Sequence, residues 1–323
     1  MLRSFDPELR LPGVGVSQLF WPGLILFGLL LTAPFDAPLN ARTTELTIAE
    51  CEEFARKVEQ SVALGDPAYL NDHLDSAAFT DAAVPQHVNA ERRQTLIQEM
   101  QSRFRAGETL LRGIGNGTYK FLRASRQQEQ WTVLFRLVGE DGALNYHRFL
   151  LRKSGNEVLF TDIYVYLTGE KLSETMARFL GQDSVNPVAL KIMAAFQSGQ
   201  FDEVIRLYES APESIRTDKT FVLLVAQSAS RVDDDQYLEY MEHFRKLFPE
   251  DPALYMIDID YYFIKREFKK LEEIINTLYE IIGGDPYLKL LLGEIYVQDN
   301  RPADGLVVVN EAIAAEPDLY SGY

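Results

Sequence analysis

The sequence predicts an α+β N-terminal domain, built of helices and a four-stranded antiparallel meander, followed by an all-α solenoid of stacked helix pairs. Three observations predict this class. The hydrophobic period changes from helical to alternating and back, turn signals separate four strand-like segments, and a 34-residue spacing recurs near the C-terminus. The expected parts are a targeting segment at 1–41, the α+β domain at 44–182 and the solenoid at 185–323.

Composition excludes several functions. The chain has 323 residues, with 48 acidic and 32 basic side chains and a net charge of −16. A general nucleic-acid binder needs a basic surface that displaces counterions, so no nucleic-acid partner is expected. The single cysteine, Cys51, has no intramolecular disulfide partner, and the four histidines are scattered. We therefore expect no metal site and no cofactor.

The N-terminal segment predicts export. Residues 11–35 contain no charged side chain, and residues 19–31 form an almost continuous apolar run. One interpretation is a signal peptide, with a passable cleavage site at 39–41. The other is an uncleaved N-terminal membrane anchor, since a span needs about 20 apolar residues. Pro22 and Gly23 disfavour an ordinary core helix. Either interpretation predicts an extracytoplasmic protein that is secreted, periplasmic or anchored.

The next part of the chain has the pattern of helices followed by strands. Apolar spacing over residues 48–64 predicts an amphipathic helix, with Thr47 as N-cap and Glu50 as its capping-box partner. A second helix is predicted over 90–105. Four segments follow, TYKFLRAS, QWTVLFRLVG, LNYHRFLLRKSG and EVLFTDIYVYLTG, and the short turns between them predict the meander. A last helix, SETMARFL, is predicted with Ser173 as its N-cap.

This order of elements resembles the nuclear transport factor 2-like, or cystatin-like cone, superfamily. The phrase FARKVEQSVALGDPAYLNDHLD resembles the opening of that group, in which an amphipathic helix and Gly-Asp precede a short helix. The superfamily includes dehydratases, isomerases and many non-catalytic binding or dimerisation domains. The resemblance therefore implies a fold and leaves the function open.

Two predicted strands carry candidate pocket residues. His147 and Asp162 could form a general acid/base pair if the sheet register brings them to one face. Three interpretations stay open: a catalytic pair, a non-catalytic ligand pocket containing His147, Asp162 and Tyr164, and a structural domain that forms a homodimer. The structural interpretation is preferred, so no catalytic residue is assigned.

The C-terminal third repeats itself. Pro249, Gly283 and Pro317 recur at intervals of 34 residues, which is the period of a helix–turn–helix repeat. We expect four units, at 185–218, 219–251, 252–285 and 286–319. The second unit is the most divergent. Such units cannot bury their apolar faces alone, so they are expected to stack into a solenoid with a groove.

The last unit carries a resemblance to the tetratricopeptide repeat. Its small residues Gly293, Gly305 and Ala312, its aromatic Tyr296 and its Pro317 occupy the family's typical positions. The resemblance implies that one face of each first helix lines a groove. The groove candidates are Met193, Phe196, Met256, Asp260, Phe263, Tyr287, Leu290 and Glu294.

The groove composition indicates the kind of partner. Chaperone-binding members of the family hold carboxylates with basic residues, and that clamp is missing here. An acidic groove with Met and aromatic side chains favours an extended segment with apolar anchors and basic flanks. We therefore expect a non-catalytic interaction or scaffold protein that binds a protein or peptide partner. The alternative is small-molecule binding, or lyase or isomerase activity, in the cone-like domain.

Overall fold

The protein is described here by a computed structural model that covers residues 45–140, 142–181 and 186–320. The predicted targeting segment, 1–41, lies outside these ranges. Within them, no helix combines the length and the apolar composition needed to cross a bilayer.

Helices open the described chain. They are α1 (Ile48–Ala63), α2 (Ala68–Asp72), α3 (Ser76–Ala83), α4 (Ala90–Arg103) and α5 (Ala106–Ile114). The predicted capping box of α1 is confirmed: the Glu50 N–H donates to the Thr47 hydroxyl, and the Glu50 carboxylate accepts the Thr47 N–H at 2.9 Å. The predicted helix at 90–105 corresponds to α4. Helices α3 and α5 were not predicted, because they are too short for a clear helical period.

One antiparallel sheet follows, with the strands in sequence order. The strands are β1 (Thr118–Gln127), β2 (Gln130–Val138), β3 (Leu144–Ser154), β4 (Glu157–Val165) and β5 (Glu170–Lys171). The predicted meander is present, but it has a fifth, two-residue strand. After β4 the chain reverses at Gly169, which adopts a left-handed backbone with φ of +64°, and Val165 then pairs with Glu170.

The last helix of this region, α6 (Leu172–Leu180), begins earlier than predicted. Its N-cap is Lys171, so the prediction that Ser173 caps it is wrong. Ser173 lies inside the first turn, is buried, and donates its hydroxyl hydrogen to the Asp162 carboxylate. A buried carboxylate must be hydrogen-bonded, and this requirement draws the serine toward the sheet.

Each face of the sheet packs against a different set of helices. The inner face, which includes Tyr119, Phe135 and Phe149, forms one core with α1, α3, α4, α5 and α6. The outer face, which includes Leu134 and Tyr146, forms a second core with the C-terminal helices. The sheet is therefore the middle layer of the protein.

The C-terminal region consists of helical hairpins. Its helices are α7 (Pro187–Gln197), α8 (Phe201–Glu209), α9 (Glu213–Arg216), α10 (Lys219–Ala229), α11 (Asp234–Leu247), α12 (Leu254–Ile264), α13 (Phe268–Ile282), α14 (Pro286–Gln298) and α15 (Pro302–Ala315). Helices α7 and α8, α10 and α11, α12 and α13, and α14 and α15 pack in pairs. The short α9, between the first two pairs, was not predicted.

An Asn or Asp residue precedes the first helix of each pair, and it is the N-cap except at α12, whose N-cap is Ala253. The side chains of Asn186, Asp218, Asp251 and Asp285 each accept the backbone N–H two residues further on. An Asx side chain satisfies one of the donors that a helix N-terminus leaves unpaired. The recurrence of these residues marks the turns between successive pairs, which we call the inter-pair turns.

Two glycines bring α14 and α15 into close contact. A Cβ added to Gly305 would lie 2.8 Å from the carbonyl oxygen of Gly293 on the facing helix. Real Cβ atoms avoid such a distance, so a larger residue would force the two backbones apart. The small residues in this hairpin therefore have a packing role.

We expect Gly305→Ala to lower the free energy of unfolding by about 1–3 kcal/mol, because the new methyl group overpacks the α14–α15 contact. Gly113→Ala in α5 is the matched control, since a Cβ there meets no atom within 4 Å. The control should gain roughly 0.5–1 kcal/mol from the helix preference of alanine. Urea unfolding of both variants measures the difference. Equal stabilities would contradict the close contact.

Candidate functional site

Exposure rises along the predicted groove face of α14. Tyr287 is 4% exposed and Leu290 is 9% exposed, whereas Glu294 is partly exposed and Val297 is 55% exposed. These residues are three or four positions apart and share one face of the helix. The start of α14 is therefore covered, and its end is open.

The other first helices show the same trend where they carry candidates. On α12, Met256 and Asp260 are buried, and Phe263 is partly exposed. On α7, Met193 and Phe196 are partly exposed. The eight candidates therefore divide into buried residues near the inter-pair turns and accessible residues further along the helices. We call Phe263, Glu294 and Val297 the open stripe.

The covered end is closed by the outer face of the sheet, through a buried charged cluster. Arg136 on β2 donates to Asp285, the N-cap of α14, with 2.5 Å between Nη1 and Oδ1. Tyr146 on β3 donates to the other oxygen of Asp285 at 2.7 Å. Glu316, which follows α15, accepts from Arg136 and Lys120, each at 2.7 Å. We call these five residues the Arg136 cluster.

The environment of this cluster shifts its pKa values. Burial raises the pKa of Tyr146, and the neighbouring Asp285 charge raises it further. Burial acts to raise the pKa of Glu316, but the hydrogen bonds from Arg136 and Lys120 outweigh it and leave that pKa below its ordinary value. Glu316 therefore stays ionised at neutral pH.

Two further contacts join the inter-pair turns to the N-terminal region. Arg123 on β1 donates to the carbonyl oxygens of Gly283 and Gly284, just before α14. Glu170 on β5 lies 3.7 Å from the ammonium of Lys219, at the start of α10. The sheet thus holds the helical pairs by their turns.

Sequence reasoning missed the role of Arg136 and Asp285. One signal was available, because Arg136 interrupts the apolar strand QWTVLFRLV. A charge in such a strand needs a partner when both sheet faces are covered. The partner is 149 residues away along the chain, and no local pattern indicates it.

Glu294 is the chemically distinctive residue of the open stripe. Its Oε2 atom is inaccessible to solvent and has no hydrogen-bond partner within the described ranges. Burial raises the pKa of Glu294 to about 7. Leu290 lies one turn before it and Val297 one turn after it. A cationic group brought next to this carboxylate would supply the missing hydrogen bonds and charge.

A second candidate site is a cavity under the inner face of the sheet. It has a volume of about 70 Å³ and lies among α5, α6, β3 and β4. Its polar lining comes from Thr109, Thr168, Thr175 and His147, and the rest is apolar. One water needs about 10–15 Å³ of such space, so the cavity has room for a few waters or one very small molecule.

His147 is held in one tautomer. The Asn145 side-chain oxygen accepts the N–H groups of Tyr146 and Leu167, so its amide nitrogen donates to His147 Nε2 at 3.2 Å. Nδ1 then carries the proton and faces the Tyr119 hydroxyl at 3.2 Å. Burial lowers the pKa of His147 to about 4, so the ring is neutral at pH 7.

The acid/base pair considered from the sequence is not assembled. His147 pairs across the sheet with Val165, and Asp162 pairs with Leu150, which lies three positions further along β3. Alternation therefore places His147 on the inner face and Asp162, with Tyr164, on the outer face. Burial raises the pKa of Asp162, and its hydrogen bonds with Ser173 oppose this effect.

The described part of the chain contains no group of three or more His, Cys, Asp or Glu side chains that could hold a metal ion. Both faces of the sheet are covered by helices of the same chain, so a homodimer through this domain would use another surface. Comparison with protein-family models and with curated proteins finds no match for this chain.

We expect Arg136→Met to lower the free energy of unfolding by about 3–5 kcal/mol, because it leaves the Asp285 carboxylate buried without its cation. Lys120→Met removes a cation that is 40% exposed and also binds Glu316, so it should cost less than about 1 kcal/mol. Urea denaturation of both variants measures the difference. If Arg136→Met costs no more than Lys120→Met, the cluster does not join the two regions.

Glu294 should make stability depend on pH. Its folded-state pKa is about 7 and its ordinary value is 4.5, so the folded protein holds the proton longer than the unfolded chain. The free energy of unfolding then falls as pH rises from about 4.5 to 7. Glu294→Gln has no carboxyl to titrate at this position, so it should not show this decrease. At about pH 8 the variant should be more stable than the wild type by roughly 1–2 kcal/mol, allowing for partial solvent screening.

The control for this measurement is Glu239→Gln on α11, where the side chain is exposed. It should change stability little at any pH. Urea unfolding at pH 4.5 and pH 8 compares the variants. A Glu294→Gln variant that gains nothing over the wild type at the higher pH would show that the carboxyl is well solvated or paired.

Proposed function

We propose that this protein is a non-catalytic interaction or scaffold protein. In this proposal the four helical pairs are tetratricopeptide-like repeats, and a segment of a protein partner binds along the open stripe. The recurring helix starts and the close α14–α15 contact support the repeat assignment. The proposal includes the expected export or membrane anchoring of the chain.

The observation that carries the proposal is the state of Glu294. A carboxylate oxygen that is out of water and unpaired within the described ranges costs free energy, and a partner can recover it. Val297, one turn after Glu294, is exposed and offers apolar contact beside it, and Phe263 on α12 is partly exposed. A segment with apolar side chains and one lysine or arginine matches these features.

The structure narrows the surface that a partner can use. Met256, Tyr287 and Leu290 are buried in the core shared with the sheet. Substituting them would test folding rather than binding. The proposed contact is therefore limited to the far ends of the first helices, and Phe263 and Val297 are the informative positions.

The alternative function, a ligand or lyase site in the N-terminal domain, has less support. The cavity beside His147 is small, and Asp162 faces the other side of the sheet. General acid/base catalysis works best when the catalytic pKa lies near the working pH, and the pKa of His147 is about 4. His147 also lacks a carboxylate partner in the described part of the chain, so it is poorly suited to this role at neutral pH.

Peptide selection tests the proposal. The purified full chain is used to select binders from a random peptide display library, and fluorescence anisotropy measures the affinity of the enriched peptides. We expect enrichment of apolar residues next to lysine or arginine. Val297→Glu and Phe263→Glu should each weaken binding at least about tenfold, because they place a charge in an apolar contact.

Leu64→Glu is the matched control. Leu64 is 72% exposed and follows α1, away from the helical pairs. This variant should bind the selected peptides like the wild type. A selection without enrichment, or equal loss of affinity in Leu64→Glu, would overturn the proposal.

A further inference from the structure

One arginine on the outer face of the sheet forms no ion pair with an acidic residue in the described part of the chain. Arg148 lies on β3, between Leu134 of β2 and Tyr164 of β4. It is partly buried and lies beside the ring of Tyr166, whose centroid is 5.3 Å from the guanidinium carbon. Arg136, on the same face, is neutralised by two carboxylates, those of Asp285 and Glu316. Arg148 therefore has unused donors.

The Tyr166 hydroxyl beside it is also unpaired. Tyr166 is 6% exposed, and its hydroxyl has no hydrogen-bond partner in the described part of the chain. Burial raises the pKa of this hydroxyl, while the charges of Arg148 and Arg123 both act to lower it. The guanidinium of Arg148 thus lies beside a tyrosine whose buried hydroxyl has no hydrogen-bond partner in the described part of the chain.

Arg123 provides a third unused donor. Its two terminal nitrogens donate to Gly283 and Gly284, and its Nε is buried without a partner in the described ranges. Arg123 and Arg148 occupy the same row of the outer face, because both pair with Leu134.

We propose that Arg148, the Tyr166 hydroxyl and the Arg123 Nε form a binding site for an oxyanion group, carried by a small molecule with a carboxylate or a phosphate. The planar guanidinium of Arg148 matches two oxygens of either group, and the tyrosine hydroxyl donates to one of them. The neighbouring rings of Tyr164 and Tyr166 limit access of water and strengthen these bonds. This site is separate from the open stripe.

The rival explanation is that Arg148 only stacks on the Tyr166 ring. A cation–π contact of this kind is favourable by itself and needs no ligand. It leaves the hydroxyl of Tyr166 unexplained, since a buried unpaired hydroxyl is costly. The two explanations differ in what an added anion does.

Inorganic phosphate and acetate are the probes, each titrated into the full chain by isothermal calorimetry, with chloride at equal ionic strength as reference. We expect at least one probe to bind and to raise the melting temperature above the chloride reference. Tyr166→Phe keeps the ring and removes one hydrogen bond, so it should weaken that binding about tenfold. Arg148→Met should abolish it.

Arg105→Met is the control for net charge, because Arg105 is exposed at the start of α5. It should bind the probe like the wild type. Binding of phosphate alone would identify a phosphate site, and binding of acetate alone a carboxylate site. If neither probe binds, or Tyr166→Phe binds as tightly as the wild type, the proposal is wrong. If Arg148→Met fails to fold, the affinity of Tyr166→Phe for the probe still tests the proposal.

Discussion

The buried guanidinium of Arg136 joins the two regions of the protein. A cation that is 5% exposed is tolerated only when its charge and its N–H groups are matched, and here Asp285 and Glu316 match them. Both carboxylates belong to the C-terminal helices, whereas Arg136 and Tyr146 belong to the sheet. The position of the helical pairs on the sheet therefore depends on specific polar contacts as well as on the shared apolar core.

The same contacts divide each first helix into two parts. Near the inter-pair turns, residues such as Tyr287 are buried, and Arg136 lies over the Tyr287 ring at 5.4 Å. Further along the helix, Glu294 is partly exposed and Val297 is 55% exposed. Residues on one face of a first helix therefore have a structural role near the inter-pair turn and are accessible further along.

Local features were predictable from the sequence, and long-range contacts were not. The Thr47–Glu50 capping box and the small residues Gly293 and Gly305 follow from neighbours in the sequence or from a fixed repeat spacing. The Arg136–Asp285 pair joins residues 149 positions apart. Nothing in either segment indicates its partner.

The candidate sites show the same limit. Glu294 and His147 were chosen by position, but their protonation depends on burial that no pattern predicts. The separation of His147 from Asp162 depends on a strand register, and a bulge between Leu150 and Leu151 shifts that register. The sequence shows which residue types occupy these positions. Their burial and their neighbours can be seen only in the folded structure.

Attachment by the turns also has a mechanical consequence. Strands are spaced about 4.8 Å apart and packed helices about 8–10 Å, so one helix covers about two strands. The turns before α10 and α14 are held by the sheet, so these helical pairs can separate more easily at their far ends than at the held turns. Helix spacing would then vary more where Glu294 lies than where Asp285 is held.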